Sequence, residues 1–201
     1  EAMMKNAKPD MYEYELEAYF DFVLTKNGVT DRAFETIVAS GQRGTILHYC
    51  ENNSKACDGD LVLVDCGAQF DWYNGDITRT FPVNGKFTPL QKQIYDIVLA
   101  GQKKVIDTIK PGVKFSRLNE VLKEHYFEEL KAIGLVNTFD DVSKYYFHGV
   151  SHYLGAETHD IGRYGDRRLE PGMVLTVEPG LYIEEYGIGI RIEDDALVDR
   201  K

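Results

Sequence analysis

Four acidic side chains sit at the ends of apolar, β-type runs in this sequence: Asp65 in DLVLVDCG, Asp76 in GDITRTF, Glu178 in MVLTVEPG and Glu193 in GIRIEDD. An apolar strand that meets a carboxylate is costly unless the charge finds a partner. Two such pairs brought together are costlier, because like charges resist joint ionisation. Divalent cations remove that cost. Taken singly, each carboxylate could instead cap a turn or pair with Arg79 or Arg191. Taken as a set, with an imidazole added, they point to metal. Oxygen donors with one imidazole suit Mn, Co, Zn or Fe rather than ions that prefer thiolates. Carboxylates can also bridge two ions, which a neutral imidazole cannot.

The imidazole comes from FHGVSHYLGAETHD (147–160), which holds three of the five histidines. His148 and His152 have the HxxxH spacing of a helical zinc-protease pair, but Gly149 stands where that motif needs glutamate. Read as an extended strand, the segment puts both on one face about 13 Å apart, too far for one ion. One ligand and one substrate contact is the expectation. His125 lies in a helical pattern and reads as an ordinary surface or core residue. Cys66 alternates to the face opposite Asp65 and reads as core.

The elements that must position these groups are legible in part. Asp10 and Glu13 predict a capping box for a helix carrying Leu16, Phe20, Val23 and Leu24 and stopped by Gly28. Thr88 and Gln91, with Pro89 between them, predict a second helix with Leu90, Ile94, Ile97 and Val105 on its apolar side, ending at Pro111-Gly112. A third runs from about Ser116 towards Gly134, with Leu118, Val121 and Leu122 inward. Strand-type runs occupy 36–40, 60–67, 77–83, 173–180, 181–183 and 189–195. Hairpin-spaced strands alternating with helical blocks predict an α+β domain, its helices on one face of a mainly antiparallel sheet.

Two of those runs echo each other. GDLVLVDCG (59–67) and GMVLTVEPG (172–180) align without gaps, and Asp65 matches Glu178. Each is followed by a second carboxylate on a further strand, Asp76 or Glu193, and each is preceded by a histidine, His48 or His159. The chain reads as two related halves, each delivering one pair of carboxylates.

Composition narrows the classes. At 201 residues and 43% apolar content the chain suits a single domain with a substantial core. It holds no apolar run long enough to span a membrane, and EAMMKNAKPD lacks the core of a secretory signal. The beginning reads as part-way through a helix. Cys50, Cys57 and Cys66, odd in number and without a CxxC pair, suggest a reducing compartment. A formal charge of −10 argues against nucleic acid as partner.

The segments ILHYCENN, VDCG, GDITRTFPVNGKFT, HGVSHYLGAETHD, EPGMVLTVEPGLYI and GIGIRIEDD follow, in order, the signatures of the proline-specific metallopeptidases. Over nearly its whole length the chain resembles that family, aminopeptidase P and prolidase. The resemblance implies the pita-bread fold, an α+β domain with pseudo-twofold duplicated halves and a mainly antiparallel curved sheet covered by helices. It implies two divalent ions, Mn²⁺ first with Co²⁺, Zn²⁺ or Fe²⁺ as alternatives. Their ligands would be Asp65, Asp76, His152, Glu178 and Glu193, with Asp76 and Glu193 bridging, Asp65 on one ion, and His152 and Glu178 on the other. His48, His148 and His159 would line the substrate site, Arg191 would hydrogen-bond within the cluster, and Thr78 and Tyr73 would lie near it.

The reaction implied is hydrolysis of the Xaa-Pro bond at the N-terminus of short peptides, by a hydroxide between the metals. Glu178 would shuttle the proton, and His148 and His159 would stabilise the oxyanion. Family members carry an additional N-terminal domain and extend further at the C-terminus, so residues 1–201 are expected to be a catalytic domain truncated at both ends. The full-length protein is expected in the cytoplasm, as a homo-oligomer in some members. Prolidase is the nearest alternative; Ser151, where many prolidases have glycine, and the GDITRTFPVNGKFT run favour aminopeptidase P. Methionine aminopeptidase matches the HGVSHYLG and EPGLYI contexts less well. A non-catalytic binding protein, or a creatinase-like hydrolase without metal, is disfavoured because all five ligands are kept.

Overall fold

In the computed structural model, which describes residues 1–200, a short helix α1 (Ala2–Asn6) leads into α2 (Glu13–Lys26). The Asp10–Glu13 box does not open this helix. Asp10 adopts φ 69°, Tyr12 is the N-cap, and the Tyr12 amide donates to Glu15 at 2.7 Å. Glu13 is instead drawn fully inside, where donors from a later loop satisfy it.

Six strands follow in the first half: β1 (Asp31–Arg32), β2 (Ile37–Ser40), β3 (Leu61–Cys66), β4 (Ala68–Phe70), β5 (Tyr73–Asn74) and β6 (Ile77–Pro82). Antiparallel β2 and β6 flank β3, which sets Ile37 and Thr78 opposite Asp65. Alternation then sorts the side chains. Val62, Val64 and Cys66 pack with Met11 and Leu16 beneath α2, while Leu63 and Asp65 face the other way. Cys66 is thus core, and burial with Asp65 alongside pushes its thiol up to about 12. The small sheet β1-β4-β5 had no sequence signal, because strands of two or three residues show no periodicity.

The next helix, α3 (Pro89–Thr108), starts as its sequence predicts: Gln91 N donates to Thr88 Oγ1 at 3.2 Å and Thr88 N to Gln91 Oε1 at 2.9 Å. It packs against α4 (Phe115–Ala132), with Ile94, Val98 and Val105 meeting Leu118 and Leu122 in the main core. Leu90, expected on that face, is exposed, since it lies in the first turn beyond the contact. Buried His125 links the two helices, its Nε2 2.9 Å from Ile97 O and its Nδ1 3.1 Å from Lys104 Nζ.

The second half contains β7 (Val174–Val177), β8 (Gly180–Ile183), β9 (Ile188–Arg191) and β10 (Asp194–Leu197). Strands β7 and β10 pair antiparallel, as do β8 and β9. The single strand expected over 189–195 is therefore two. Between them the backbone changes partners: Ile192 N donates to Pro179 O, and Glu193 N donates to Thr78 O in the other half.

The echoing segments are built alike. Gly59 and Gly172 open them at φ 90° and 93°, a region that a Cβ disfavours. Val83 N donates to Asp60 O at 2.9 Å, and Val198 N donates to Met173 O at 2.8 Å, closing the equivalent pairs β3–β6 and β7–β10. Helices cover the outer side of these pairs. Their inner side lines a cavity of about 1050 Å³.

Candidate metal centre

Asp65, Asp76, His152, Glu178 and Glu193 all line that cavity. Alternation along β3 turns Asp65 inward, and Asp76 and Glu193 immediately precede β6 and β10. Glu178 follows β7, which stops there because Pro179 has no N–H to donate. Strand pairing within each half and hydrogen bonds between halves thus bring together residues up to 128 positions apart in sequence.

One ligand atom from each of Asp76, His152 and Glu193 can be chosen so that all lie within 4.8 Å of one another. His152 Nε2 is 3.5 Å from Asp76 Oδ2 and 3.4 Å from Glu178 Oε1. Its Nδ1 lies 3.0 Å from the carbonyl of Tyr153, so Nδ1–H donates there and Nε2 faces the carboxylates. Oδ1 of Asp65 and Oδ1 of Asp76 are buried without a hydrogen-bond partner. Orphaned carboxylate oxygens gathered in an acidic cluster fit divalent cations.

The electrostatics agree. Burial pushes Asp76 up to about 6, with the neighbouring Asp65 charge adding to it and His152 opposing. Burial raises Glu178 to about 7, and lifts Glu193 well above the carboxylate range with the charges of Asp65, Glu178 and Asp76 contributing. For His152 burial favours the neutral ring, but the hydrogen bond to Asp76 and the charge of Glu178 outweigh it, so its pKa is raised. These groups hold protons where cations would neutralise them.

A ring of hydrogen bonds orients the acidic groups. Thr78 Oγ1 donates to Glu193 Oε2 at 2.6 Å. Arg191 donates from Nη2 to Asp65 Oδ2 at 2.7 Å, from Nε to Thr78 Oγ1 at 3.2 Å and from Nη1 to the Tyr182 hydroxyl at 2.9 Å. That hydroxyl lies 2.9 Å from His148 Nε2, while His148 Nδ1 is 2.7 Å from Gly149 O. Burial, with the Arg191 charge beyond it, lowers His148 to about 4 and keeps it neutral. The alternative of separate arginine pairs holds only for Asp65, and only for one of its oxygens. Arg79 binds Asp194 and the Glu193 carbonyl instead.

Two expectations change. His148 and His152 do not share a strand face, because 148–152 is a loop; they flank Glu178, with His148 Nδ1 3.9 Å from Oε2 and His152 Nε2 3.4 Å from Oε1. Tyr73 lies outside the cluster: it is half-exposed, and its hydroxyl donates to Leu154 O at 3.0 Å, bracing the segment that carries His152. His48 and His159 do reach the cavity, and the His159 ring centroid sits 4.4 Å from that of His152.

Sequence reasoning passed over Tyr182 and Thr176. The Thr176 hydroxyl accepts from His152 N and donates to Glu178 Oε1. Tyr182 is fully buried, and a Cβ on Gly180 would come within 2.4 Å of its hydroxyl. A polar side chain inside an apolar strand beside VEPG was the available signal for each.

The fold and the site together define an α+β domain that gathers buried carboxylates and one imidazole from two duplicated halves into a divalent-metal centre. The chain belongs to metallopeptidase family M24, whose pattern matches residues 1–200, and its fold is the pita-bread fold. It is 44% identical to the Xaa-Pro aminopeptidase of Escherichia coli over 97% of this chain and 48% of that protein. It is 36% identical to the Xaa-Pro dipeptidase of Rattus norvegicus, over 98% of this chain and 45% of the relative. A solved structure of a Bacillus anthracis protein assigned to aminopeptidase P superimposes with a TM-score of 0.97 at 57% identity, covering 100% of this chain and 48% of that one. The chain therefore spans about half the length of the relatives it matches.

Proposed function

We propose that this chain is the catalytic unit of an Xaa-Pro aminopeptidase, which removes the first residue from short peptides with proline second. The carrying observation is the convergence of five metal-type side chains, two with orphaned oxygens, in one peptide-sized cavity. We assign two divalent ions, Mn²⁺ first. Asp65, Asp76, His152, Glu178 and Glu193 would hold them. When bound, such ions lower the pKa of a water and polarise a carbonyl.

The protein's own groups do the rest. Glu178, whose carboxylate lines the cavity beside His152, can take a proton from the attacking water and return it to the leaving proline nitrogen. His48 and His159 make no hydrogen bond among the described residues, so their ring nitrogens are available to the peptide and to its developing oxyanion. His148 is less suited to donate, since both its nitrogens are engaged. The bond before proline is a tertiary amide without N–H, which strand-binding proteases handle poorly, so a dedicated site is needed.

Higher identity to the aminopeptidase than to the dipeptidase, together with Ser151, favours the former. No helix among the described residues is long and apolar enough to cross a membrane, and the three free thiols suit a reducing compartment. We assign the cytoplasm. The test offers the full-length protein with added Mn²⁺ an Xaa-Pro-Xaa tripeptide and an Xaa-Pro dipeptide. Tripeptide cleavage with about two ions per chain is expected. Cleavage of the dipeptide alone would mean prolidase, and two bound ions without cleavage would mean a binding protein. Asp76→Ala should lose bound metal and more activity than the ten- to hundredfold typical of outer-shell changes.

A further inference from the structure

Glu13 was expected to cap a helix, and no part of the metal centre uses it. It is nevertheless fully buried. Its Oε1 accepts from Ser40 N at 2.9 Å, Ser40 Oγ at 2.7 Å and Arg43 Nε at 2.9 Å. Its Oε2 accepts from the Tyr49 hydroxyl at 2.8 Å and Ser54 N at 2.9 Å. These donors come from the start, middle and end of the segment 40–54, and that segment carries His48.

His48 has no hydrogen bond of its own among the described residues, and residues 46–54 form neither helix nor strand. Its aim must come from its neighbours. Tyr49, next in sequence, is buried among Ile37, Leu63 and Tyr182, and its hydroxyl ends on Glu13. Asn52, at φ 45°, donates to Thr36 O and to Glu17 one helical turn beyond Glu13, and accepts from Val38 N. On the opposite side Gly44 presses on Gly189 of β9, where an added Cβ on Gly189 would come within 1.8 Å of Gly44 O.

Resting on the peptidase reading above, we propose that Glu13 is a positioning residue: its buried carboxylate gathers the ends and middle of segment 40–54 and so aims the His48 ring into the cavity. A carboxylate suits this role because it accepts on both oxygens. Glutamine would turn an NH₂ group towards donors.

Five variants test this in the full-length protein: Glu13→Gln, Tyr49→Phe, His48→Ala, and each of the first two combined with His48→Ala. The expected loss in kcat/KM is on the order of 10²-fold for Glu13→Gln, as for a misplaced catalytic group. About fivefold is expected for Tyr49→Phe, the loss of one hydrogen bond. Bound metal should stay at the wild-type level. On the His48→Ala background each change should cost less than about twofold, because the group being aimed is gone. In imidazole NMR spectra the His48 resonance should shift in both variants while that of His125 stays.

Equal losses with and without His48, or an unmoved His48 resonance, would overturn the proposal. Should Glu13→Gln fail to fold, Tyr49→Phe decides by the same readouts. If the wild-type protein cleaves no Xaa-Pro peptide, the peptidase reading fails by itself and the resonances still decide the role of Glu13.

Discussion

At the residue scale, the site is a set of acids held in protonation states that they would not choose in water. Asp76 rises to about 6 and Glu178 to about 7, chiefly through burial, and Glu193 rises further. For an acid whose pKa is raised on folding, stability is fully present below the unfolded pKa and is lost as pH climbs through the folded value. Without metal, Asp76 therefore costs stability from about pH 4 upward, reaching its full effect above about pH 7. Asp76→Asn removes that charge and nothing else of similar size. In chelated protein this variant should be more stable than wild type at pH 8, and the difference should vanish only below the unfolded pKa, towards about pH 3. Thermal melts at the two values check it. A constant difference would mean that the side chain is not repelled by its neighbours.

At the scale of elements, strand β3 and the ends of β6, β7 and β10 place the four carboxylates, and connecting segments place the histidines. Strand β9 shows how tightly the two are joined, because Gly189 lies against Gly44 and Arg191 follows two residues on. Backbone atoms face the missing Cβ at 1.8 and 2.1 Å, so neither side can yield by turning a side chain. Gly189→Ala should cost about 1–3 kcal/mol and, beyond that, move both Arg191 and the His48 segment. Gly28→Ala is the control: its Cβ meets nothing within 4 Å, but φ 76° is strained, so a loss of about 1–2 kcal/mol is expected. Folded Gly189→Ala should show reduced kcat/KM, whereas folded Gly28→Ala should match wild type. Equal kinetics in the two would separate β9 from the site.

At the scale of the whole molecule, the metal centre is where two similar halves are joined. A backbone hydrogen bond from Glu193 N to Thr78 O links them, and so does Arg191, which reaches from the second half to Asp65 in the first. Cations shared by ligands from both halves should strengthen the same seam. At one hundred times its Kd a single ion adds about 2.7 kcal/mol to folding. For a domain of this size that corresponds to a rise of roughly 5–11 °C in Tm. Scanning calorimetry of chelated and Mn²⁺-loaded protein checks the value. A Tm indifferent to metal would mean that the folded chain binds no ion in preference to the unfolded one, and would remove the metal centre.

Much of this was legible before any coordinates, and the reasons are local. Thr88, Pro89 and Gln91 announced α3 because capping depends on residues three apart. The gapless echo of 59–67 and 172–180 disclosed the duplication because both copies need glycine at positive φ and a carboxylate beside the cavity. Period-two alternation separated Asp65 from Cys66. The five side chains that line the cavity as candidate ligands could be named from the order of their motifs.

Tertiary structure alone decided the rest. Asp10 and Glu13 had the right spacing for a cap, but donors from Ser40, Tyr49 and Ser54 claimed Glu13, and their approach is invisible along the chain. The strand read over 189–195 split because its backbone finds partners in two different places. His148 and His152 were assigned different tasks on the wrong grounds; a loop, not a strand, sets them on the two oxygens of Glu178. Tyr182 gained its importance from Arg191 and His148, which meet it only after folding. Local pattern determines which residues carry chemistry and which elements hold them. Contacts between distant segments determine which of those residues meet, because a hydrogen bond or a buried charge is answered by whatever the folded chain brings within reach.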